Sequence, residues 1–478
     1  MPPHKLKSDI DTNDYLSKIE LLDRELYQHF YPVIMLNPAL NRKHISFQAN
    51  KDRSYYRLYK YKEAFSADLV EYLFQQYSVL EGKILDPFAG SGTALFACSS
   101  LGYDADGIEL LPVGQKIIEA NLIARRGNRN KLLSRLEYWL VEQPWNREGK
   151  TQELNTLRIT DGAYPQIAQT QIGRYLYEIQ NEDIETQEIL LFALLSILES
   201  ISYTRKDGQY LRWDHRADRK QGSKTFKKGK ILSFDQAIDR QMNQIKEDLI
   251  HHDQPHDLLS LLQGELKPGK INLIKGSCLD ILPQLKSEHY SGIMTSPPYC
   301  NRYDYTRTYA LEHAVLGVNE IELVRLRQAM LTCTVENKFK DLITFNQSWK
   351  TAIDICNQMP LLQQIFNDLD HQRQNKQLNN PGIVRMVKGY FYEMACVIQD
   401  CYRVLQKDGR MFMVNDNVRY AGISISVDLL LSKIAEEIGF RIENIMVLPQ
   451  GKGNSSQQMG KHGRQPLRKC IYVWKKES

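Results

Sequence analysis

Short apolar segments and amphipathic helical stretches alternate along most of this chain, and that alternation limits the fold more than any other feature. Residues 83–85 read as a short buried strand, 94–101 as a helix and 104–108 as a second strand. Residues 271–274, 292–295 and 410–414 add three more strands. Ahead of the last of these, Met394, Val397, Ile398, Cys401, Tyr402 and Leu405 fall at helical spacing, and Lys407-Asp408-Gly409 reads as the intervening turn. A later helix runs through Val427, Leu430, Leu431, Ile434 and Ile438 and is ended by Gly439, with strands near 442–448 and 470–474. Strands and helices in alternation cover both faces of a sheet, so the expected fold is α/β with a doubly wound, mainly parallel sheet.

Two stretches break the pattern. Residues 126–269 hold an apolar helical segment at 189–201 and then, at 203–230, ten Lys/Arg against three Asp. Residues 306–385 read as helical and polar. The expected organisation is an N-terminal extension at 1–64, a catalytic domain in three parts at 65–125, 270–305 and 386–478, and two largely helical insertions at 126–269 and 306–385. At 478 residues the chain has room for two or three domains. With 42% hydrophobic and 25% charged residues it is too apolar for a disordered chain. The N-terminus carries no apolar signal region, and the longest apolar run, 189–198, is about half of the roughly 20 residues a membrane span needs. No membrane association and a cytoplasmic location are therefore expected. Eight cysteines without a CxxC pair suggest neither a disulfide framework nor a metal site.

The sharpest local signal is Asp86-Pro87-Phe88-Ala89-Gly90-Ser91-Gly92-Thr93, after a strand and before a helix. Its glycines allow a tight turn and close backbone approach to a nucleotide-like ligand at the carboxyl edge of a parallel sheet. It is no P-loop, since no Gly-Lys-Ser/Thr follows. Glu109 ends the next strand, where an acid can accept hydrogen bonds from ribose hydroxyls. The second signal is Thr295-Ser296-Pro297-Pro298-Tyr299, expected on the same sheet edge. Two prolines stiffen the turn and expose carbonyls, so the Ser296 hydroxyl and the Pro297 carbonyl can both accept from an exocyclic amine while Tyr299 stacks on its base. Accepting both N–H bonds favours the pyramidal, nucleophilic amine of the transition state.

Together these motifs resemble the amino-methyltransferases of bacterial restriction-modification systems, which move a methyl group from S-adenosylmethionine to exocyclic amines of DNA bases. Ser-Pro-Pro-Tyr in that family is usual for cytosine-N4 enzymes, so the resemblance implies N4-methylcytosine, with adenine-N6, an RNA amine and a non-catalytic scaffold as the rivals. It further implies a seven-stranded class I methyltransferase sheet and base flipping. Phe65 and Ser66 would help hold the methionine end of S-adenosylmethionine. Asp86, Pro87, Phe88, Ala89, Gly90, Gly92 and Thr93 would line the cofactor, Glu109 would take its ribose, and Ser277, Cys278 and Asp280 would sit near its adenine. Ser296, Pro297, Pro298 and Tyr299 would form the catalytic loop. The cofactor motif precedes the catalytic motif here, the reverse of many cytosine-N4 enzymes. No nuclease motif is present, so restriction would belong to a separate cognate endonuclease.

The partner implied is double-stranded DNA. Arg205, Lys206, Arg212, Arg216, Arg219, Lys220, Lys224, Lys227 and Lys228 are the candidates for phosphate contacts. The interleaved rings and cations Tyr55, Tyr56, Arg57, Tyr59, Lys60, Tyr61 and Lys62 suit backbone tracking or a lid, or else core packing. Asn301, Arg302, Tyr303, Asp304 and Tyr305 suit a pocket wall. The Gly/Ser/Gln/Lys-rich stretch 451–463 could close over DNA. Cys300 beside Tyr299 lacks the Pro-Cys context of ring-carbon methylation and reads as a pocket neighbour.

Overall fold

The computed structural model describes residues 6–208, 210–219, 225–251, 267–449 and 467–477. Twelve strands are assigned there: β1 (Ile34–Leu36), β2 (Lys83–Asp86), β3 (Asp104–Glu109), β4 (Thr204–Lys206), β5 (Leu211–Trp213), β6 (Ile271–Lys275), β7 (Tyr290–Thr295), β8 (Leu405–Asp416), β9 (Val418–Tyr420), β10 (Ile423–Ile425), β11 (Phe440–Val447) and β12 (Lys469–Lys476). Eight of them make one sheet in the order β1-β11-β12-β8-β7-β2-β3-β6, while β4-β5 and β9-β10 are small hairpins. Every neighbour pair in the large sheet is parallel except those of β12, which runs antiparallel to both β8 and β11.

The main sheet has eight strands rather than the expected seven. The additional one is β1, three residues from the segment read as an N-terminal extension, paired with β11 from Ile34↔Ile445 to Leu36↔Val447. So short a segment has no measurable period, which is why the sequence pattern passes over it. A second correction concerns 407–409. It is a bulge inside β8, where the four residues between Leu405 and Arg410 oppose the single residue between Tyr290 and Gly292, and Asp408 adopts φ 64°.

Alternation along the strands sends side chains to two cores. Met294, Phe412, Val414, Ile471 and Val473 pack against the helices Ala67–Tyr77 and Thr93–Ser100. Ile293, Met411, Met413, Tyr472 and Trp474 pack on the opposite face against Gly382–Val404 and Val427–Ile438. Each fully buried large side chain contributes about 1.5–3 kcal/mol, so these two layers dominate the stability of the sheet. A third core lies between β3 and β6 in the chain. There Arg129–Glu142, Gln166–Glu178, Ile184–Ile201 and Phe234–Ile250 gather around Trp139, Trp145, Tyr175 and Phe234 and dock on the sheet-flanking helix Pro112–Arg126. No helix among the described residues is long and apolar enough to cross a membrane.

The sheet order reverses between β2 and β7. From β2 the chain winds to β3 and β6, and from β7 it winds the other way to β8. Loops that leave the carboxyl ends of two such strands diverge and open a crevice between them.

Candidate active site

That crevice is a cleft of about 530 Å³, and both predicted motifs open into it. The glycine loop is shaped from beneath by β2 and β7. Asp86 ends β2 with its carboxylate buried, where Oδ1 accepts from the Phe88 N–H at 3.0 Å and from Thr295 Oγ1 at 2.7 Å. One carboxylate thus ties the start of the glycine loop to the last residue before the Ser-Pro-Pro-Tyr turn. Burial lifts its pKa to about 7, against the lowering effect of those two bonds. Gly92 begins the helix Thr93–Ser100 with φ 79°, and a Cβ there would stand 2.9 Å from both Ile118 and Phe96.

Glu109 lies where the sequence places it, at the end of β3, and its carboxylate is oriented by backbone. Oε2 accepts from Gly90 N–H at 2.6 Å and Oε1 from Leu111 N–H at 2.7 Å. Burial raises its pKa to about 8 despite these bonds. A carboxyl that keeps its proton has one O–H donor and further acceptor capacity, both available to hydroxyls in the cleft. Gly114 underlies this arrangement and went unnoticed in the sequence. A Cβ there would come within 2.7 Å of Glu109 Cδ and of the Gly90 carbonyl. No motif spacing marks it, because its reason is the close approach of a helix to a strand end.

On the glycine-loop side of the cleft, Phe65, Pro87, Phe88, Ala89, Gly90 and Thr93 line the wall with Asp86 and Glu109, as do Ser277 and Cys278. Three expected residues do not. Ser66 is buried beneath, capping Ala67–Tyr77 by accepting from Leu69 N–H at 3.3 Å and donating to the His44 carbonyl at 2.7 Å. Gly92 shapes the turn rather than the wall, and Asp280 lies in the first turn of the short helix Cys278–Ile281, outside the lining. The Ser277 hydroxyl itself donates to the Ala329 carbonyl at 2.7 Å.

Across the cleft, Ser296, Pro298 and Tyr299 face the glycine loop, while Pro297 is not part of the lining. Ser296 Oγ is 3.1 Å from the Tyr299 hydroxyl and 3.3 Å from the Val414 carbonyl, so β8 supports the turn from below. Asn301, Tyr303 and Tyr305 continue the wall, whereas Arg302 and Asp304 of the same run stand outside the lining, Asp304 buried as a helix cap. Cys300 is buried and outside the lining; burial pushes its thiol pKa well up, which keeps it protonated. Two lining groups escaped the sequence reading. Glu63 accepts from the hydroxyls of Tyr303 and Tyr309, and burial raises its pKa to about 7. Lys469, at the start of β12, stands 3.5 Å from Asp416. Both are far in sequence from the motif they adjoin.

The aromatic and basic run at 55–62 is chiefly core. Tyr55, Tyr59 and Tyr61 are buried; Arg57 pairs with Asp248 at 2.6 Å; and Tyr61 stacks on Tyr309 at 5.0 Å, its ring 3.3 Å from where a Gly90 Cβ would be.

The basic segment divides in the structure. Arg205, Arg212 and Lys227 are exposed, with Arg212 lying 4.3 Å over the Phe226 ring. Arg216 is exposed but tied to Asp214 at 2.6 Å, and Arg219 covers Trp213 and donates to the Arg158 carbonyl. Lys206 turns inward, 6% exposed, with Nζ 2.5 Å from Glu312; the β4 alternation points it into the molecule, so it is corrected from a phosphate contact to a buried ion pair. Lys228 donates to the carbonyls of Glu199 and Ser202, and burial lowers its pKa to about 8; it too is occupied. Lys220, Lys224 and the stretch 451–463 lie outside the described residues.

A mainly parallel sheet with a glycine loop and an acid-ended second strand at its switch point is a Rossmann-like methyltransferase fold. Residues 24–119 match the family model described as DNA methylase, of the N6/N4 methylase type. The chain is 55% identical over 98% of its length to the Type II methyltransferase M.AvaI of Nostoc sp., covering 96% of that protein. It is 38% identical over 99% of its length to the Type II methyltransferase M.BsoBI of Geobacillus stearothermophilus, covering 95% of it. The chain therefore belongs to the N4/N6 DNA methylases of restriction-modification type.

Proposed function

We propose that this protein is a DNA cytosine-N4 methyltransferase using S-adenosylmethionine and acting on a base flipped out of the duplex. The single observation that carries the reading is the Ser296-Pro297-Pro298-Tyr299 turn facing the glycine loop across one cleft, both loops tied to Asp86. The cleft fits the cofactor: the glycine loop and Glu109 line one wall of it, and Glu109 presents its carboxyl to the cleft from the end of β3. When bound, S-adenosylmethionine supplies an electrophilic methyl group on a sulfonium.

The chain's own residues do the rest. Glu109 and the glycine loop bind and orient the donor. Ser296 Oγ, released from Tyr299, accepts an N–H of the amine and holds it in the nucleophilic geometry. Tyr299 stacks the base. Positioning and preorganised acceptors supply most of the rate. Flipping costs a few kcal/mol, to be offset by protein contacts, for which exposed Arg205, Arg212 and Lys227 are candidates.

Incubating the protein with labelled S-adenosylmethionine and unmodified DNA, then digesting to nucleosides for mass spectrometry, tests this. N4-methylcytosine is the expected product. N6-methyladenine would overturn the base assignment, and no transfer would overturn the enzymatic reading. A cognate endonuclease is the proposed partner of the same system.

A further inference from the structure

The catalytic turn is flanked by a cation that no motif contains. Lys469 begins β12, whose register places it opposite Asp416 at the end of β8, and β8 adjoins β7, the strand that leads into Ser296. The backbone around it is pinned on both sides: the Leu448 N–H donates to the Lys469 carbonyl at 3.0 Å, and the Asn417 N–H to the Arg468 carbonyl at 3.1 Å. Its side chain lines the cleft together with Asp416, Ser296 and Tyr299. The ammonium stands 5.3 Å from the centre of the Tyr299 ring and 3.5 Å from Asp416 Oδ1. The Lys469 side chain is partly buried, 23% exposed. Here burial lowers the pKa, but the neighbouring Asp416 and Tyr299 outweigh it, and the net shift is upward.

An ammonium has three donors. Asp416 takes one direction and Tyr299 lies in another, which leaves donor capacity facing the cleft. The bases that offer an exocyclic amine differ in what lies beyond it on the same edge. Cytosine follows its amine with a ring nitrogen and then a carbonyl oxygen, both acceptors. Adenine follows its amine with a ring nitrogen and then a C–H, which accepts nothing. The ring nitrogen accepts in both bases, so only a cationic donor that reaches past it, to the next position on that edge, finds an acceptor in cytosine and none in adenine, and leaving that donor unmatched is what rejects adenine.

We infer that Lys469, held by Asp416, is a specificity-determining residue that donates to the O2 carbonyl of the target cytosine beside the Ser296 to Tyr299 turn. This deepens the cytosine-N4 reading and rests on it.

The test compares wild-type protein, Lys469→Met and Lys469→Arg on duplexes carrying cytosine or adenine at the mapped target position. The wild-type product alone judges the underlying reading, because N6-methyladenine from unmodified DNA would remove the cytosine assignment before any variant is made. Given N4-methylcytosine, Lys469→Met is expected to lower kcat/KM for cytosine about 10- to 100-fold, the range for leaving one hydrogen-bonding partner unmatched, with S-adenosylmethionine affinity unchanged. Residual transfer to adenine should not fall with it, so the cytosine-to-adenine ratio collapses, and Lys469→Arg should recover part of it. Equal losses on both bases, or no loss on cytosine, would overturn the inference. If Lys469→Met does not fold, wild-type protein assayed on 2-thiocytosine at the target decides: sulfur is the poorer acceptor, so slowed transfer supports the inference and an unchanged rate overturns it.

Discussion

The two loops that face each other across the cleft are held by different means. The glycine loop is bound by its own neighbourhood: Asp86 accepts from Phe88 two residues on, Glu109 accepts from Gly90 and Leu111, and the Ala89 N–H donates to the Ile108 carbonyl at 3.0 Å. The Ser-Pro-Pro-Tyr turn is supported from far away in the chain. Val414 lies beneath Ser296, Lys469 beside Tyr299, and the Tyr420 hydroxyl donates to the Cys300 carbonyl at 2.6 Å. A loop built on adjacent strands can be prebuilt by backbone alone, whereas the Ser-Pro-Pro-Tyr turn is positioned by long-range packing. The two halves of the site should therefore fail separately.

The largest separation is expected at the catalytic turn. Ser296→Ala and Tyr299→Ala should each lower methyl transfer by about 10²–10³-fold, the usual effect of removing one preorganised polar group, while equilibrium binding of S-adenosylmethionine stays near wild type. Full activity in both would remove the turn from the reaction.

The reverse separation comes from beneath the other loop. Gly114→Ala puts a methyl group 2.7 Å from Glu109 Cδ and from the Gly90 carbonyl. Overpacking of this kind costs about 1–3 kcal/mol, so S-adenosylmethionine affinity should fall by roughly 5- to 150-fold. Calorimetric titration measures it, and unchanged affinity would show that Glu109 and Gly90 do not meet the donor.

A smaller effect sharpens the role of Glu109. Its pKa rises with burial from 4.5 to about 8, so between these values the folded chain holds a proton that the unfolded chain has released. The stability it contributes is complete below pH 4.5 and is lost as the pH rises through about 8. Glu109→Gln does not titrate. The wild-type Tm minus the Glu109→Gln Tm should therefore decline from pH 4.5 to 8, and a flat difference would contradict the burial of the carboxyl.

The smallest effect lies outside the cleft. Arg212→Glu and Lys227→Glu should each weaken DNA binding several-fold and reduce the slope of log K against log salt by about 1 for each phosphate no longer neutralised. Lys206→Met should not reduce that slope, since its ammonium faces Glu312. A reduced slope for Lys206→Met, or an unreduced one for Arg212→Glu, would reverse the division of the basic segment.

Much of the core was readable because local period reflects burial. The strands around 83–85, 104–108 and 271–274 and the helix through Val427 to Ile438 are where the pattern puts them, give or take a residue or two. The glycine loop was readable for the same reason, since its conformation depends on residues within one strand, turn and helix. Reading failed where a residue's role is set by something distant. Charge alone made Lys206 and Lys228 look like surface cations, yet a three-residue strand turns one inward and two carbonyls occupy the other. Ser66 looked like a ligand-binding residue and is a helix cap.

The sequence by itself determined the α/β class, the glycine loop, the placement of Glu109 and the chemistry available to Ser296 and Tyr299, because each follows from residue type and short-range geometry. Only the tertiary structure decided that Asp86 joins the two loops, that 34–36 completes the sheet, and that Glu63, Gly114 and Lys469 belong to the site. Those interactions join residues up to hundreds of positions apart, and burial, which shifts the acids and holds Lys469 against Asp416, exists only once the sheet has closed around them.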